Sequence, residues 1–442
     1  MHRLYRTLGI LSVATLALAA PRNNLLGAQA TAEADTSMPA TGIDFSAIDQ
    51  FWKIVDILSR DIEPTEAQWR TLLTTPGYRL AQVNLGPGLR DDIDLAFKPS
   101  RRAEFESLAK GDDGHSLQLK HLALAGTRRS ELVAYRDSLA RSAPIADAIA
   151  IAARFLPPGA TRNGAPPLVA FAFFRDDGYS LPQGIVVDLL YARVLSVGGI
   201  PITKNLAHEF HHSYINRAAR PLPPGSAAAP DAGLRKALYD LRNEGIADQI
   251  DKPYPFSSPN PGSAGHVTRY NAEYARTPGL LRQLDSLLTV AADDSTQMAA
   301  VSRRALGLFW SNGHPNGAYV AREILETFGV DSLFPAARSP AAFLRIYSSA
   351  ELKHGRPNPF SPKARHVLDG LDSRYWRQIA ESQDPTDTLL PGRSYFGARL
   401  PAVPDSLLAR GTPQGAPFAG FTPNSPAERA GLRVGGRRGQ HR

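Results

Sequence analysis

Residues 208–212 read His-Glu-Phe-His-His and contain the pattern H-E-x-x-H. On a helix, the side chains of His208 and His212 project from one face about one turn apart, so both can bind a single zinc ion. Glu209 then lies beside the open position of the metal, where a carboxylate can act as a general base. Two buried, hydrogen-bonded histidines beside a surface glutamate would give the same pattern. A third ligand is what separates the two interpretations.

The third ligand is sought downstream of this predicted helix. The metzincin pattern requires Gly and His where this chain has Ile215 and Ala218, so that pattern is excluded. Residues 243–248 instead read Asn-Glu-Gly-Ile-Ala-Asp, with Glu244 and Asp248 again four positions apart. A catalytic zinc site with two histidines needs one carboxylate on the metal, and a zinc-bound histidine usually donates its other ring N–H to a second carboxylate. The pair therefore suits a catalytic site.

The two motifs together resemble the gluzincin metallopeptidases, whose best-known member is thermolysin. The resemblance implies that His208, His212 and Glu244 are zinc ligands, that Glu209 is the base and that Asp248 orients one of the histidines. The text around the first motif is most similar to uncharacterised bacterial zinc-dependent peptidases, in which a mostly helical chain continues past the third ligand. The similarity spans roughly residues 165–350. The expected cofactor is Zn²⁺ and the expected partner is a peptide or protein substrate.

Gluzincins usually present a Tyr or His that hydrogen-bonds the oxyanion formed when water attacks the substrate. The candidates after the third ligand are His314 and Tyr319, both in the segment 313–319, and Tyr270. Each of them could also be an ordinary loop or core residue. His211 lies one position off the face shared by the two ligand histidines, so we interpret it as a supporting or structural residue.

Composition bounds the class of protein. The chain has 442 residues, of which 43% are hydrophobic, so it can form two or three domains. The net charge of +8 comes mostly from scattered arginines and not from a basic block with interleaved aromatics, so we expect no nucleic-acid partner. The sequence contains no cysteine, which excludes disulfides and thiolate ligands; any zinc must be held by histidines and carboxylates.

The N-terminus has the pattern of a secretory signal peptide. Basic residues precede a weakly polar to apolar run over 8–20, and small-residue cleavage patterns end at Ala19 and Ala30. As a helix this run would span about 20 Å, which is short of a hydrocarbon core of about 30 Å. We therefore expect residues 1–30 to be a signal peptide. The protein is expected to be periplasmic or secreted, without a stable membrane anchor.

The periodicities predict an α+β, mostly α-helical fold. Residues 44–160 read as a helical N-terminal region, and the strand-like runs 168–174 and 185–191 precede the zinc helix. The second run is expected to pair with an extended substrate. We expect a catalytic domain over 165–382, with a thermolysin-like pair of zinc-binding helices and a small β-sheet before it. A linker rich in Pro, Asp and Gly is expected at 383–394.

Residues 395–442 resemble the first half of a PDZ domain of the kind attached to exported bacterial proteases. The resemblance lies in the segment 425–435, which looks like the turn and helix of that module, but Gly436 and two arginines replace the usual continuation. We expect a truncated module. The glycyl aminopeptidases, which join H-E-F-x-H to a PDZ module, are a second relative, although this chain lacks an obvious β-rich N-terminal domain.

Three functions compete on these observations. The first is an exported zinc peptidase that hydrolyses peptide bonds with Glu209 as general base. The second is a zinc hydrolase of a non-peptide substrate. The third is a non-catalytic exported binding protein, in which zinc would be structural or absent. An open fourth metal position argues against a structural site, because structural sites are usually closed by four protein ligands. The sequence leaves the oligomeric state open.

Overall fold

The computed structural model describes residues 42–81, 88–142, 144–162, 165–219, 229–257 and 264–377, together with two short strands near the C-terminus. The signal peptide expected at 1–30 and the linker expected at 383–394 lie outside the described residues. So does the PDZ-like segment expected at 395–442, apart from the two short strands. No helix within these described ranges combines the length and the apolar character needed to cross a membrane.

Helices dominate the described residues, and the predicted fold class, mostly helical α+β with a small sheet before the zinc helix, is confirmed. The first nine helices are α1 (Ser46–Leu58), α2 (Glu66–Leu73), α3 (Pro76–Ala81), α4 (Leu89–Phe97), α5 (Arg102–Leu108), α6 (Gly114–Thr127), α7 (Arg129–Ser142), α8 (Ile145–Ala153) and α9 (Leu189–Val197). The later helices are α10 (Ile202–Ala219), α11 (Ala232–Asp251), α12 (Ala264–Asp293), α13 (Met298–Leu306), α14 (His314–Phe328), α15 (Leu333–Ala336), α16 (Pro340–Lys353) and α17 (Pro362–Leu371).

A small sheet lies before the helix that carries the H-E-x-x-H motif. Its strands are β1 (Ile43–Asp44), β2 (Val169–Ala172), β3 (Gly178–Leu181) and β4 (Gly184–Asp188), in the order β1-β2-β4-β3. The pairs β1–β2 and β2–β4 are parallel, and β3–β4 is antiparallel. Both central strands are buried along their whole length because helices cover them, which explains their continuous apolar text. A separate antiparallel pair consists of β5 (Ala398–Arg399) and β6 (Gly420–Phe421).

The run 185–191 is a strand only in its first half. The side chain of Asp188 accepts a hydrogen bond from the backbone N–H of Tyr191 at 2.9 Å, so Asp188 caps the N-terminus of α9 and ends β4. Moreover, β4 lies between β2 and β3, and both of its edges are paired. The expectation that this strand pairs with a substrate is therefore wrong, because β3 is the edge strand on that side among the strands of the described residues.

One hydrophobic core runs through the helical N-terminal region and the segment that follows it. The rings of Phe51 and Trp52 on α1 lie 4.7 Å and 5.1 Å from the ring of Phe173, just after β2. The same cluster of buried side chains extends from Ile43 to Trp376. The sheet therefore packs against helices from both parts of the chain, and α10 packs against β3 and β4.

Helices α11 and α14 approach each other unusually closely. A methyl group placed on Gly317 would lie 2.8 Å from the Cα atom of Gly245 and would overlap the carbonyl oxygen of Leu241. A methyl group on Gly245 would likewise overlap the backbone of Gly317. Only glycine lets two helical backbones meet in this way. The contact places the N-terminus of α14 beside the middle of α11.

We expect Gly245→Ala to lower the free energy of unfolding by about 1–3 kcal/mol, since the new methyl group has no space between the two backbones. This direction opposes helix propensity, which favours Ala over Gly by about 1 kcal/mol in a helix interior. Urea unfolding with linear extrapolation measures the change. Gly279→Ala in α12 is the matched control, because its methyl group would meet only Arg282 Nη2 at 3.8 Å. A Gly245→Ala variant as stable as the control would contradict the close contact.

Candidate metal centre

Three donor atoms from α10 and α11 form a compact triangle. Nε2 of His208 is 2.9 Å from Nε2 of His212, and Oε2 of Glu244 is 3.1 Å from His212 Nε2 and 3.5 Å from His208 Nε2. Two ligands of a tetrahedral zinc ion, each about 2.0–2.1 Å from the metal, lie about 3.3 Å apart. Two imidazole nitrogens and one carboxylate oxygen are also the donor set of many catalytic zinc sites. The spacing and chemistry of the triangle fit zinc.

The triangle follows from two helices that present one face to each other. His208 and His212 are one turn apart on α10, with ring centroids 4.6 Å apart and ring planes at 80°. Both are buried, at 4% and 8% exposure, and Glu244 reaches them from α11. Burial by itself would raise the pKa of Glu244, but the facing His212 and His314 imidazoles hold that pKa well below its usual value.

Asp251 holds the ring of His208 in place. Its Oδ1 is 3.0 Å from Nδ1 of His208, whereas Asp248 Oδ1 is 3.6 Å from the same nitrogen. With Nδ1 donating to Asp251, Nε2 of His208 is free to act as a donor atom in the triangle. The resemblance to the gluzincins predicts this orienting role for Asp248 and not for Asp251. The structure places Asp251, and not Asp248, within hydrogen-bond distance of His208.

Asp248 instead contacts residues from two other helices and Lys252. Its Oδ1 is 2.9 Å from Nδ1 of His314, at the start of α14, and 2.7 Å from Nζ of Lys252. Its Oδ2 accepts a hydrogen bond from the hydroxyl of Tyr270 on α12 at 2.9 Å. Asp248 is fully buried, so these contacts satisfy a carboxylate that water does not reach. Tyr270, one of the oxyanion candidates, thus serves as a hydrogen-bond donor to Asp248.

His314 lies next to the triangle. Its Nε2 is 3.2 Å from Oε2 of Glu244, and its ring stacks on the ring of His208 with centroids 5.8 Å apart. His314 is the first residue of α14, and the chain reaches it through Gly313, whose φ of +80° favours glycine. Donor atoms of His208, Glu244 and His314 all lie within 4.8 Å of one another. The loop before α14 therefore delivers a third histidine to the site.

Tyr319, the other predicted oxyanion residue, is not brought to the triangle. It lies five residues after His314 on the same helix, which rotates its side chain by about 140° around the axis. Its ring packs edge-on against Tyr274 at 5.3 Å and against Tyr347 at 6.2 Å. The helix turns the side chain of Tyr319 into this aromatic cluster, and His314 is the predicted oxyanion residue that the structure brings beside the triangle.

Glu209 is buried beside the triangle, with 5% of its surface exposed. Its Oε2 has no hydrogen-bond partner among the described residues, and burial raises the pKa of this carboxyl to about 8. His211 is fully buried, and neither of its ring nitrogens has a hydrogen-bond partner in the described part of the chain. Its ring centroid lies 6.1 Å from that of His212, and it contributes no donor atom to the triangle.

A comparison with known protein families matches residues 69–355 to the family described as "Putative zinc dependent peptidase (DUF5700)". The match covers well over half of the chain. The chain belongs to this family. The matched segment contains the four residues of the site, His208, His212, Glu244 and His314. The family is described as zinc dependent, so zinc is the expected metal. Comparisons with curated proteins and with solved structures give no match.

We expect Asp251→Ala to weaken zinc affinity by about 10–100-fold, the usual effect of removing the carboxylate behind a metal-bound histidine. Asp248→Ala should weaken it less, because the imidazole closest to Asp248 is His314. Competitive titration against a chromogenic zinc chelator gives both affinities. A larger loss in the Asp248 variant would show that His208 depends on Asp248 after all.

Proposed function

We propose that this protein is an exported zinc-dependent peptidase that hydrolyses peptide bonds with water. The observation that carries the proposal is the triangle of His208, His212 and Glu244 donor atoms, with distances of 2.9–3.5 Å, next to the buried and partly unpaired carboxyl group of Glu209. Together these are a metal-binding set with a base beside it. Membership of the family supports the peptidase class.

His208, His212 and Glu244 would hold the zinc ion. Zinc supplies a Lewis acid for the scissile carbonyl group and lowers the pKa of water. Glu209 follows His208 directly on α10, and its buried carboxyl group lies close enough to His208 and Glu244 to interact with them electrostatically. Burial raises the pKa of Glu209, but a zinc ion held beside it would favour the ionised form. The carboxylate of Glu209 would then accept the proton of the attacking water and pass it to the leaving amine. Its Oε2 is available for this task because no described residue donates a hydrogen bond to it.

His314 would stabilise the negative charge that develops on the substrate carbonyl. Burial alone would lower the pKa of His314, but the facing carboxylates of Asp248 and Glu244 raise it, which favours the imidazolium form. In that form Nδ1 donates to Asp248, and Nε2, which lies 3.2 Å from Oε2 of Glu244, also carries a proton to donate. Asp248 is itself held by the hydroxyl of Tyr270, so the imidazole is fixed before substrate arrives. A donor that needs no reorganisation during the reaction contributes most to lowering the barrier.

An extended substrate would pair with β3. This strand is at the edge of the sheet, it is half-buried, and it lies beside α10. Ser180 on β3 and Ser213 on α10 share a hydrogen bond of 2.5 Å, so the edge is fixed to the zinc helix. Backbone groups along a free strand edge bind an extended peptide by adding it as a further strand. Export is proposed from the signal-like pattern of residues 1–30.

The first test combines chelation with substitution of the base. We expect a peptidase assay on unfolded protein substrates to show activity that a chelator abolishes and zinc restores. Glu209→Gln should retain zinc but lose about 100- to 10,000-fold in kcat, because the amide keeps the shape of the side chain and cannot accept a proton. Glu273→Gln is the control, since Glu273 pairs with Arg276 on α12 outside the site. Zinc-bound wild type without peptide hydrolysis would reject the peptidase assignment.

One distance favours a different site, in which His314 is the fourth ligand of a closed, structural zinc. Nε2 of His314 lies 3.2 Å from Glu244 Oε2, which is also a ligand-to-ligand distance. Such a site would have no open position and would belong to a non-catalytic protein.

His314→Ala separates the two sites. If His314 donates to the oxyanion, the variant keeps one zinc per chain and loses about 100- to 1,000-fold in kcat. We expect this result, with zinc content measured by elemental analysis after gel filtration and kcat measured on the same sample. If the wild type has no activity and His314→Ala loses both zinc and stability, the closed site is established.

A further inference from the structure

Lys252 is a half-buried cation at the end of α11 that the proposed reaction does not use. Its Nζ lies 2.7 Å from Oδ1 of Asp248 and 3.3 Å from Oδ2 of Asp251. Only 18% of its side chain is exposed. The residue follows the last turn of the helix, and its side chain folds back over that turn to reach both carboxylates. One ammonium group therefore bridges two acidic residues.

The two carboxylates are poorly placed without a cation. Asp248 and Asp251 occupy one turn of α11, and their side chains are 0% and 4% exposed. Two negative charges repel each other strongly in a buried environment, and the C-terminal end of a helix is itself unfavourable for anions. The hydroxyl of Tyr270 that also contacts Asp248 is neutral. A cation between the carboxylates offsets both effects.

Each carboxylate uses its contact with Lys252 to hold a different histidine. Asp251 accepts from His208 through Oδ1 and contacts Lys252 through Oδ2, so the ammonium group fixes the rotation of the carboxylate. Asp248 accepts from both Lys252 and His314 through Oδ1. The ammonium group is thus the common contact of the two carboxylates behind His208 and His314.

We propose that Lys252 is a positioning residue that couples the metal-binding half of the site to the half that polarises the substrate. The proposal rests on the proposed peptidase function for its effect on turnover, but its effect on zinc affinity does not depend on that function. Without the ammonium group, Asp248 and Asp251 move apart, and the ring positions of His208 and His314 are lost together. The sequence places Lys252 directly after Asp251, and its ammonium group contacts the carboxylates behind the histidines.

The test is a double-mutant cycle with zinc affinity as the first readout and steady-state kinetics as the second. The variants are Lys252→Met, Asp248→Asn and the double variant, each compared with wild type. The matched control is Lys236→Met, because Lys236 pairs with Asp240 on the same helix at 2.6 Å but is 54% exposed and away from the triangle. Thermal unfolding of every variant shows whether it remains folded.

We expect Lys252→Met to weaken zinc affinity by at least about 10-fold and to lower kcat with little change in KM, while Lys236→Met alters neither. In the Asp248→Asn background, the repulsion between the two carboxylates is absent and only the contact with Asp251 is lost, so Lys252→Met should weaken zinc affinity by a clearly smaller factor than in the wild-type background. A residue that acts only through packing would weaken affinity equally in both backgrounds, and that result would overturn the proposal. Wild-type zinc affinity in Lys252→Met would also overturn it.

Two further outcomes keep the test decisive. If Lys252→Met alone does not fold, Lys252→Arg, which keeps the charge, is compared with wild type, and the double variant is compared with Asp248→Asn. Zinc affinity that is retained in both comparisons supports the proposal. If that affinity is lost in both, the proposal fails. If wild type binds zinc but cleaves no peptide, the peptidase function fails, and the affinity cycle still decides the role of Lys252.

Discussion

The backbones of α11 and α14 meet at Gly245 and Gly317, and the chemistry of the site depends on that contact. Packed helices usually stand 8–10 Å apart because side chains separate them. Here no side chain intervenes, so the first residue of α14, His314, reaches carboxylates that belong to the neighbouring helix. A wider spacing would leave α10 and α11 with their donor atoms but would remove the third histidine. The two glycines thus decide whether the site is formed by α10 and α11 alone or also includes His314 of α14.

Burying several charges in this pocket is costly unless each has a partner. Glu244, Asp248 and Asp251 lie along one face of α11, and each contacts a histidine, with Lys252 between the last two. These contacts restrict the side chains to one arrangement before any ligand binds, which is the condition for electrostatic preorganisation. The carboxyl group of Glu209 differs, because one of its oxygens has no such partner in the described residues. The least constrained acid in the pocket is therefore the one beside the metal-binding atoms.

Local periodicity was enough to predict the helical fold class. The spacing within the two motifs, together with their resemblance to the gluzincins, predicted the group of His208, His212 and Glu244. Helical spacing also points to Asp251. It lies seven residues after Glu244, a rotation of about −20° around the helix axis, whereas Asp248 lies four residues after Glu244, a rotation of about +40°. The side chain of Asp251 is therefore closer in direction to that of Glu244. Three features depend on how distant segments pack: the contact of His314 with Asp248, the edge position of β3 and the surroundings of Tyr319. Pairing between strands and the approach of α14 to α11 are tertiary contacts, and no single stretch of sequence encodes them.

The pairing of β1 limits how much of the N-terminal region can be removed from a folded fragment of this protein. β1 pairs with β2 through Ile43 and Val169, and α1 covers the aromatic residues that follow β2. A fragment beginning at residue 165 would expose the rings of Phe171 and Phe173 and leave one edge of β2 unpaired, which favours aggregation. The helical N-terminal region expected over 44–160 and the catalytic domain expected over 165–382 thus share one cluster of buried side chains. A protein that kept the metal-binding motif but lacked the preceding helices would have an incomplete sheet that tends to aggregate. The two parts of the chain therefore have to be retained or lost together.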